Sequence, residues 1–224
     1  MNSDKAPITP ITPMELELTQ RLQIHFPWGK INPTIVHAWN SCPKELITKR
    51  LREAFGEMPK ISALLKRVTD ITVTLDPGTF VASDHFRVDT SPEAVVKISN
   101  LENNFREWML GLIEGQSPAN ANLCCYELVN ASVDEPIIAD LGGKQKAEMT
   151  LVEIYTLMKN QPNGEKGILL TNGFANIFYV RDVKGVLRAI DVYWDEVCWD
   201  LDAYSVERSS GWLAGRRVFS RNSF

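Results

Sequence analysis

The sequence predicts an α+β protein in which amphipathic helices pack on one face of a mainly antiparallel sheet that ends in a C-terminal β-meander. Between residues 167 and 205, runs of alternating β-branched and aromatic residues are divided by two short polar turns, which is the pattern of consecutive antiparallel strands. Elsewhere, Ser-Pro and Thr-Pro pairs open segments whose apolar residues recur at helical spacing. Together, these two observations favour a two-layer α+β architecture.

The length and charge of the chain exclude several classes of protein. The 224 residues suffice for a single domain at 12–224, preceded by a flexible Pro- and Thr-rich tail at 1–11, and the small-residue loop at 116–122 is the one seam at which this domain could divide. The net charge of −4 offers no basic face for nucleic acid. No apolar run approaches the roughly 20 residues that cross a bilayer, and the N-terminus has no signal-peptide core. We therefore expect a cytoplasmic protein that binds neither nucleic acid nor membranes.

Helices are predicted from capping residues and from apolar residues at helical spacing. Thr12 and Glu15 can form a capping box around Pro13, and Ser91 with Pro92 makes a second helix start. Gln161 to Gly164 ends the last helix, which is best defined from Thr150 onward. The predicted helices span about residues 12–26, 33–40, 43–55 and 92–114, and a last helix follows the 136–139 segment and runs to 160.

Strands before the meander are predicted from alternation and turn residues. Apolar residues alternate with threonine over 71–75, and Asp76-Pro77-Gly78 then turns the chain into a partner strand at 79–82. The tail of the chain ends in a predicted edge strand whose arginines would guard it from pairing with other chains. The other predicted strands span residues 86–88, 123–129, 136–139 and 216–220.

The C-terminal meander is specific enough to predict its register. Asp182 to Gly185 suits a type I turn closed by glycine, which joins strands at 177–181 and 187–194. A four-residue loop then leads to a strand at 199–206. If Trp194 faces Trp199, counting outward places Asp191 opposite Asp202. One sheet face then carries Asp191, Tyr193, Asp200, Asp202 and Tyr204.

This acidic face is the candidate ligand-binding site. Two aspartates that lie opposite each other repel, and a cation, an arginine or a cationic ligand would relieve the repulsion. The face could bind a small polar ligand, or, as a weaker alternative, a divalent metal through Asp191 and Asp202. The simpler alternative is a solvated face. In that case its carboxylates would be neutralised by Arg188, Arg208, Arg216, Arg217 and Arg221.

Other residues with catalytic chemistry do not form a coherent site in the sequence. The cysteines at 42, 124, 125 and 198 are interpreted as buried free thiols, because none forms a C-x-x-C pair. His85 is predicted to point outward with Arg87 and Asp89, where it could act as a base or metal ligand. The glycines after Leu141 are interpreted as a helix-entry turn, because the full phosphate-loop pattern is missing.

Three runs near the C-terminus, LLTNGFANIFYVRD, GVLRAIDVYW and AGRRVFSRNS, carry a family resemblance. They resemble the C-terminal half of an uncharacterised family of bacterial hypothetical proteins from ultrasmall candidate-phylum lineages. The resemblance covers residues 95–224. It implies a bacterial cytosolic setting and no known activity, so no catalytic residue is carried over from it.

We therefore expect a binding or protein-interaction protein that needs no cofactor. Its partner would be a protein or a small polar ligand, bound by the meander face or by a helix groove lined by Phe26, Trp28 and Trp39. The alternative is a metal-assisted or acid/base hydrolase that uses the acidic meander face or His85 with a neighbouring acid. A third hypothesis is a homodimer that buries an exposed edge strand or patch.

Overall fold

An eight-stranded mixed sheet forms the centre of the part of the chain that the computed structural model describes, residues 43, 64–115 and 118–221. Five short helices accompany it. The strands are β1 (Leu65–Thr74), β2 (Phe80–Val81), β3 (Ile98–Leu101), β4 (Ile113–Glu114), β5 (Asn120–Leu128), β6 (Glu148–Met149), β7 (Asn176–Arg181), β8 (Leu187–Trp194), β9 (Trp199–Ser205) and β10 (Arg217–Arg221). The helices are α1 (Ala82–His85), α2 (Asn103–Met109), α3 (Asp134–Asp140), α4 (Lys144–Ala147) and α5 (Leu151–Lys159).

The strand order in the main sheet is β1-β5-β10-β7-β8-β9-β3, and β6 pairs additionally with β7. Most neighbours are antiparallel, whereas β10–β7, β6–β7 and β3–β9 are parallel. A separate two-stranded sheet joins β2 to β4. This mixed but mostly antiparallel sheet with short helices confirms the predicted α+β class. No helix of the described residues has the length and apolar character needed to span a bilayer.

Some sequence predictions lie outside the described residues. They are the tail at 1–11, the helices at 12–26, 33–40 and 43–55, and the groove at Phe26, Trp28 and Trp39. The described residues from 64 onward belong to one compact unit. The prediction of a single domain over 12–224 therefore stays a prediction.

Strands β7, β8 and β9 pair antiparallel in chain order, in the predicted register. Trp194 lies opposite Trp199, and Asp191 lies opposite Asp202. The first turn also has the predicted form, because the Gly185 amide donates to the Asp182 carbonyl at 2.8 Å and Gly185 has a φ of 76°. The register prediction is confirmed.

Both faces of the sheet are covered by apolar side chains. Along β7, Phe178 belongs to the cluster that includes α5, whereas Ile177 belongs to a second cluster that includes α3. We call these sides the α5 face and the α3 face. The prediction that helices pack on one face only is therefore wrong. Successive residues of β7 are apolar, so apolar side chains must be shielded from water on both faces of the sheet. Asp191 pairs with Ile177 and so lies on the α3 face.

The C-terminal strand is central rather than at an edge. β10 lies between β5, to which it runs antiparallel, and β7, to which it runs parallel. The prediction of an edge strand at 216–220 is wrong, because Val218 and Phe219 are apolar on opposite faces and both are fully buried. Within the described sheet, the edge strands are β1 and β3.

The segment 92–114 is a strand, a helix and a second strand instead of one long helix. β3 pairs with β9, which buries Ile98 and Leu101, and only 103–109 is helical. The apolar residues of this segment could be buried either by a helix or by an edge strand. Pairing with β9 makes residues 98–101 a strand. The predicted helix that runs to 160 is also divided, because β6 separates α4 from α5, and α5 begins with a capping box between Thr150 and Glu153.

Two further strand predictions are wrong, and a third names the wrong partner strand. Residues 136–139 lie in α3, where Pro136 occupies the first turn and its missing N–H removes no helical hydrogen bond. The segment at 79–82 forms β2, which pairs with β4 and not with β1. Residues 86–88 follow α1 and form no strand. The predicted strand at 123–129 is confirmed as β5.

Candidate functional site

A cavity of about 340 Å³ opens on the α3 face, where β7 begins and β8 ends. We call it the Asp191 cavity. Strand β8 and two loops supply its walls, so that residues distant in sequence meet there. The lining residues are Gly173, Ala175, Asp191, Tyr193, Gly211, Trp212, Leu213 and Arg216.

Asp191 is the acidic group of this cavity, and one of its carboxyl oxygens lacks a hydrogen-bond partner. The Oδ1 atom is buried and has no hydrogen-bond partner. Burial and the negative charge of Asp202, which lies opposite on β9, raise the pKa of Asp191 to about 7. The positive charges of Arg208 and Arg216 lower this pKa by a smaller amount. A carboxyl of this kind can donate or accept a proton near neutral pH.

The five predicted site residues divide into two groups. Asp191 and Tyr193 line the cavity, whereas Asp200, Asp202 and Tyr204 do not. The Tyr193 hydroxyl donates to Asp200 Oδ2 at 3.2 Å, and burial together with Asp200 raises the pKa of Tyr193 to about 12. Burial and a hydrogen bond with Asp202 raise the pKa of Tyr204. Asp200 therefore acts on the cavity through Tyr193, and Asp202 acts on it through its charge opposite Asp191.

Trp212 forms an aromatic wall of the cavity and is fixed from two sides. Its backbone exchanges two hydrogen bonds with Ser132, at 2.7 and 3.0 Å. Its indole Nε1 donates to Asp134 Oδ1 at 2.7 Å. Gly211 allows this close approach, since a Cβ there would lie 2.6 Å from the Ser132 carbonyl oxygen. The wall is therefore held in place before any ligand arrives.

Behind Trp212 lies a buried charge pair. The Arg208 guanidinium stacks at 3.8 Å from the centroid of the Tyr204 ring and at 4.2 Å from that of Trp212. Its Nε lies 3.6 Å from Asp134 Oδ2. Burial raises the pKa of Asp134, although Trp212 and the Tyr179 hydroxyl donate to its Oδ1. This cluster joins α3 to the loop that carries Trp212.

Arg216 is the basic group of the cavity. Its guanidinium lies over the Phe174 ring at 4.8 Å, and its Nη1 donates to the Ala214 carbonyl at 3.3 Å. Within residues 64–115 and 118–221, no carboxylate lies within 4 Å of it. Arg216 therefore keeps hydrogen-bond donors for another group.

The arginines do not neutralise the acidic face by direct contact, contrary to the simpler sequence interpretation. Arg188 pairs with Asp182, Arg208 with Asp134, and Arg221 with Glu153. The Arg217 guanidinium donates to the sulfur of Cys125. In the described part of the chain, Asp191 is thus influenced by arginines only through space.

The loop before β7 is fixed by one buried amide. Asn176 accepts from the Leu170 amide at 2.7 Å and donates to the Leu170 carbonyl at 3.1 Å. The same side-chain nitrogen donates to the Val192 carbonyl at 2.9 Å. Asn176 therefore ties the loop that carries Gly173 and Ala175 to the strand that carries Asp191.

The other candidates from the sequence have structural roles. His85 stacks on Phe80 at 4.3 Å and lies 4.9 Å from the Tyr155 ring, so the prediction that it points outward is wrong. Burial lowers the pKa of His85. The side chains of Cys124, Cys125 and Cys198 are buried free thiols, as predicted, whereas Cys42 lies outside the described residues. Among the residues that the structure describes, no three His, Cys, Asp or Glu residues form a group that could hold a metal.

Sequence reasoning found Asp191 and Tyr193 but missed most of the cavity. Trp212, Leu213 and Arg216 reach it from a loop, where no periodicity reveals the direction of a side chain. Asp134 gave no signal because it begins α3, a helix in a segment where the sequence predicts a strand at 136–139. The one usable signal was the predicted repulsion between Asp191 and Asp202, which marks a carboxyl that is difficult to ionise.

Comparisons with protein-family models, with curated proteins and with solved structures find no match to this chain. The resemblance over residues 95–224 therefore stays a prediction.

Proposed function

We propose that this protein binds a small polar ligand in the Asp191 cavity. The observation that carries the proposal is the buried, unpaired Oδ1 of Asp191 at the cavity wall. A buried polar atom without a partner costs about 1–3 kcal/mol, and a ligand that donates a hydrogen bond to it recovers part of that cost. Few buried polar atoms in a folded protein lack a hydrogen-bond partner. Binding of a ligand would explain why Asp191 Oδ1 lacks one.

The shape of the cavity supports the same proposal. Its volume of about 340 Å³ lies at the lower end of the range of small-molecule sites. The walls combine the apolar and aromatic surface of Trp212 and Leu213 with a few polar groups, as ligand sites commonly do. The contacts of Trp212 and Asn176 fix the surrounding loops, so little order has to be gained on binding.

A second candidate is an acid/base enzyme in which Asp191 moves a proton. One observation favours it: the pKa of this carboxyl is about 7, near the optimum for a general base or acid at neutral pH. The partner group would be Tyr193, whose side chain lines the same cavity. Binding is the first requirement of either function, and it can be tested directly.

The test is a binding screen with probes of defined chemistry. The probes are benzylamine, benzamide, benzoate, phenylalanine and ethanolamine, each added at millimolar concentration to ¹⁵N-labelled protein. The readout is the indole N–H signal of Trp212, assigned with a Trp212→Phe variant. We expect at least one hydrogen-bond donor among the probes to shift that signal, and Asp191→Asn to weaken the shift. Glu207→Gln, which changes an exposed carboxylate, is the control.

Two outcomes would contradict the proposal. One is that no probe moves the Trp212 signal. The other is that Asp191→Asn binds every probe as well as the unchanged protein does. Chemical conversion of a bound probe would instead favour the enzyme candidate, and it is detected in the same spectra.

A further inference from the structure

The Asp191 cavity holds two side chains of opposite charge that do not pair with each other. Asp191 stands on β8, and Arg216 directly precedes β10. Both line the cavity, yet in the described part of the chain neither is in an ion pair. Each keeps unused hydrogen-bonding capacity, since Asp191 Oδ1 has no partner and Arg216 donates only one long bond to Ala214.

From this juxtaposition we infer that the ligand is a zwitterion with an ammonium group for Asp191, a carboxylate for Arg216 and an apolar side chain for Trp212 and Leu213. The inference depends on the proposed function, because it specifies the ligand of the same cavity. A free amino acid with an apolar or aromatic side chain has this chemistry.

The ammonium group is favoured by the surroundings of Asp191. Asp202 lies directly opposite it in the register, and Asp200 acts on it more weakly. Two carboxylates at this spacing repel each other, and a bound cation relieves that repulsion. A neutral donor would satisfy Oδ1 but would leave the repulsion in place.

The carboxylate group is favoured by Arg216. Its guanidinium lies over the Phe174 ring at 4.8 Å and lines the cavity. Guanidinium donors form strong, geometrically specific hydrogen bonds with carboxylates. An amine without a carboxylate would leave this group unused.

The apolar side chain is favoured by the remaining wall. The Trp212 ring is fixed by Asp134, and Leu213 beside it is 63% exposed. An apolar side chain of the ligand would cover Leu213 and remove that surface from water. The cavity therefore offers one surface for each part of an apolar amino acid.

Three probes of matched shape test this inference by calorimetry. Phenylalanine carries both charges, phenethylamine only the ammonium group, and 3-phenylpropanoate only the carboxylate. We expect phenylalanine to bind at least about tenfold more tightly than either of the others, which corresponds to about 1.4 kcal/mol. Asp191→Asn should weaken phenylalanine and phenethylamine but not 3-phenylpropanoate. Arg216→Gln should weaken phenylalanine and 3-phenylpropanoate but not phenethylamine.

The outcomes separate this inference from the proposed function. If phenethylamine binds as tightly as phenylalanine, and Arg216→Gln changes neither, the zwitterion is wrong while a cation-binding cavity stands. If 3-phenylpropanoate alone binds, the ammonium part is wrong. If none of the three binds although a neutral probe moves the Trp212 signal, the inference is overturned and the binding function is kept. Thermal unfolding of each variant without probe shows that it is folded.

Discussion

Asp191 on β8 and Asp202 on β9 lie directly opposite each other, and only Asp191 faces the cavity. The Asp202 carboxylate accepts a hydrogen bond from the Ala203 amide at 2.6 Å, whereas Oδ1 of Asp191 is buried without a partner. The pair is therefore asymmetric. Asp191 lacks a hydrogen bond on its buried oxygen that would favour its charged form.

This asymmetry predicts a pH-dependent stability. The pKa of Asp191 in the folded protein is raised to about 7, so the folded state binds the proton more tightly than the unfolded state. The resulting stabilisation is complete below about pH 4 and is lost as the pH rises through 7, and it amounts to at most about 4 kcal/mol. Between pH 5 and 8 the unchanged protein should therefore lose this stabilisation, whereas Asp191→Asn should not. The free energy of unfolding of Asp191→Asn should rise relative to that of the unchanged protein over this range.

Urea unfolding at several pH values in this range measures that difference. The control is Glu207→Gln, which changes an exposed carboxylate and should differ from the unchanged protein by the same amount at every pH. A difference for Asp191→Asn that is independent of pH would show that Asp191 ionises normally.

Removing the negative charge of Asp202 should make Asp191 easier to ionise. Asp202 is the largest of the charges that raise the pKa of Asp191, whereas Asp200 is a smaller one. Asp202→Asn should therefore lower the pKa of Asp191 and raise the free energy of unfolding at pH 8. Asp200→Asn is the matched control and should lower that pKa less. Equal effects of the two substitutions would contradict the pairing of Asp191 with Asp202.

The hairpin that joins β7 to β8 should depend on Asp182. This side chain is fully buried and accepts hydrogen bonds from the Lys184 and Val186 amides and from Arg188 Nε, each at 2.8–2.9 Å. Burial alone would raise the pKa of Asp182, but these bonds outweigh it and the pKa is lowered. Asp182→Ala leaves Arg188 unpaired and should cost about 3–5 kcal/mol in urea unfolding.

The control for this prediction lies in the same turn. Lys184 is exposed, and Lys184→Ala should change the free energy of unfolding by no more than about 0.5 kcal/mol. Because the pKa of Asp182 is lowered, the stabilisation that its charge provides should be lost as the pH falls through that lowered pKa. A small effect of Asp182→Ala at neutral pH would show that the turn forms without the carboxylate.

The position of Trp212 should depend on Gly211. An added Cβ would lie 2.6 Å from the Ser132 carbonyl oxygen and 2.9 Å from its carbon, both backbone atoms. Gly211→Ala should therefore push the Trp212 loop away from Ser132 and lower the free energy of unfolding by about 1–3 kcal/mol. It should also weaken probe binding, because the cavity wall moves. Gly115→Ala is the control, since nothing lies within 4 Å of its added Cβ.

The C-terminal strands could be predicted from the sequence because local and long-range signals agree there. The turn at Asp182 and the alternation along β8 and β9 fix one register, and a slip by one residue would bury Asp191 and Asp202 among the apolar residues of the α5 face. The segment at 92–114 lacks this agreement. Its spacing suits a helix, but pairing with β9 takes Ile98 and Leu101 into the sheet.

The candidate site could be predicted only in part, for a different reason. Alternation along β8 places Asp191 and Tyr193 on one face, and this needs nothing beyond the strand. The opposite wall depends on how a loop packs, since Ser132 and Asp134 hold Trp212 from a distant part of the chain. Contacts between distant loops leave no periodic pattern in a single sequence.

A site-resolved ¹³C NMR titration of the Asp191 carboxyl, assigned with Asp191→Asn, measures the property from which the cavity's chemistry follows. We predict a midpoint of about 7, which falls when a bound amine places its positive charge beside the carboxylate. A midpoint near 4, the ordinary value for an aspartate, would show that the carboxyl is solvated or paired and would contradict the proposed binding site.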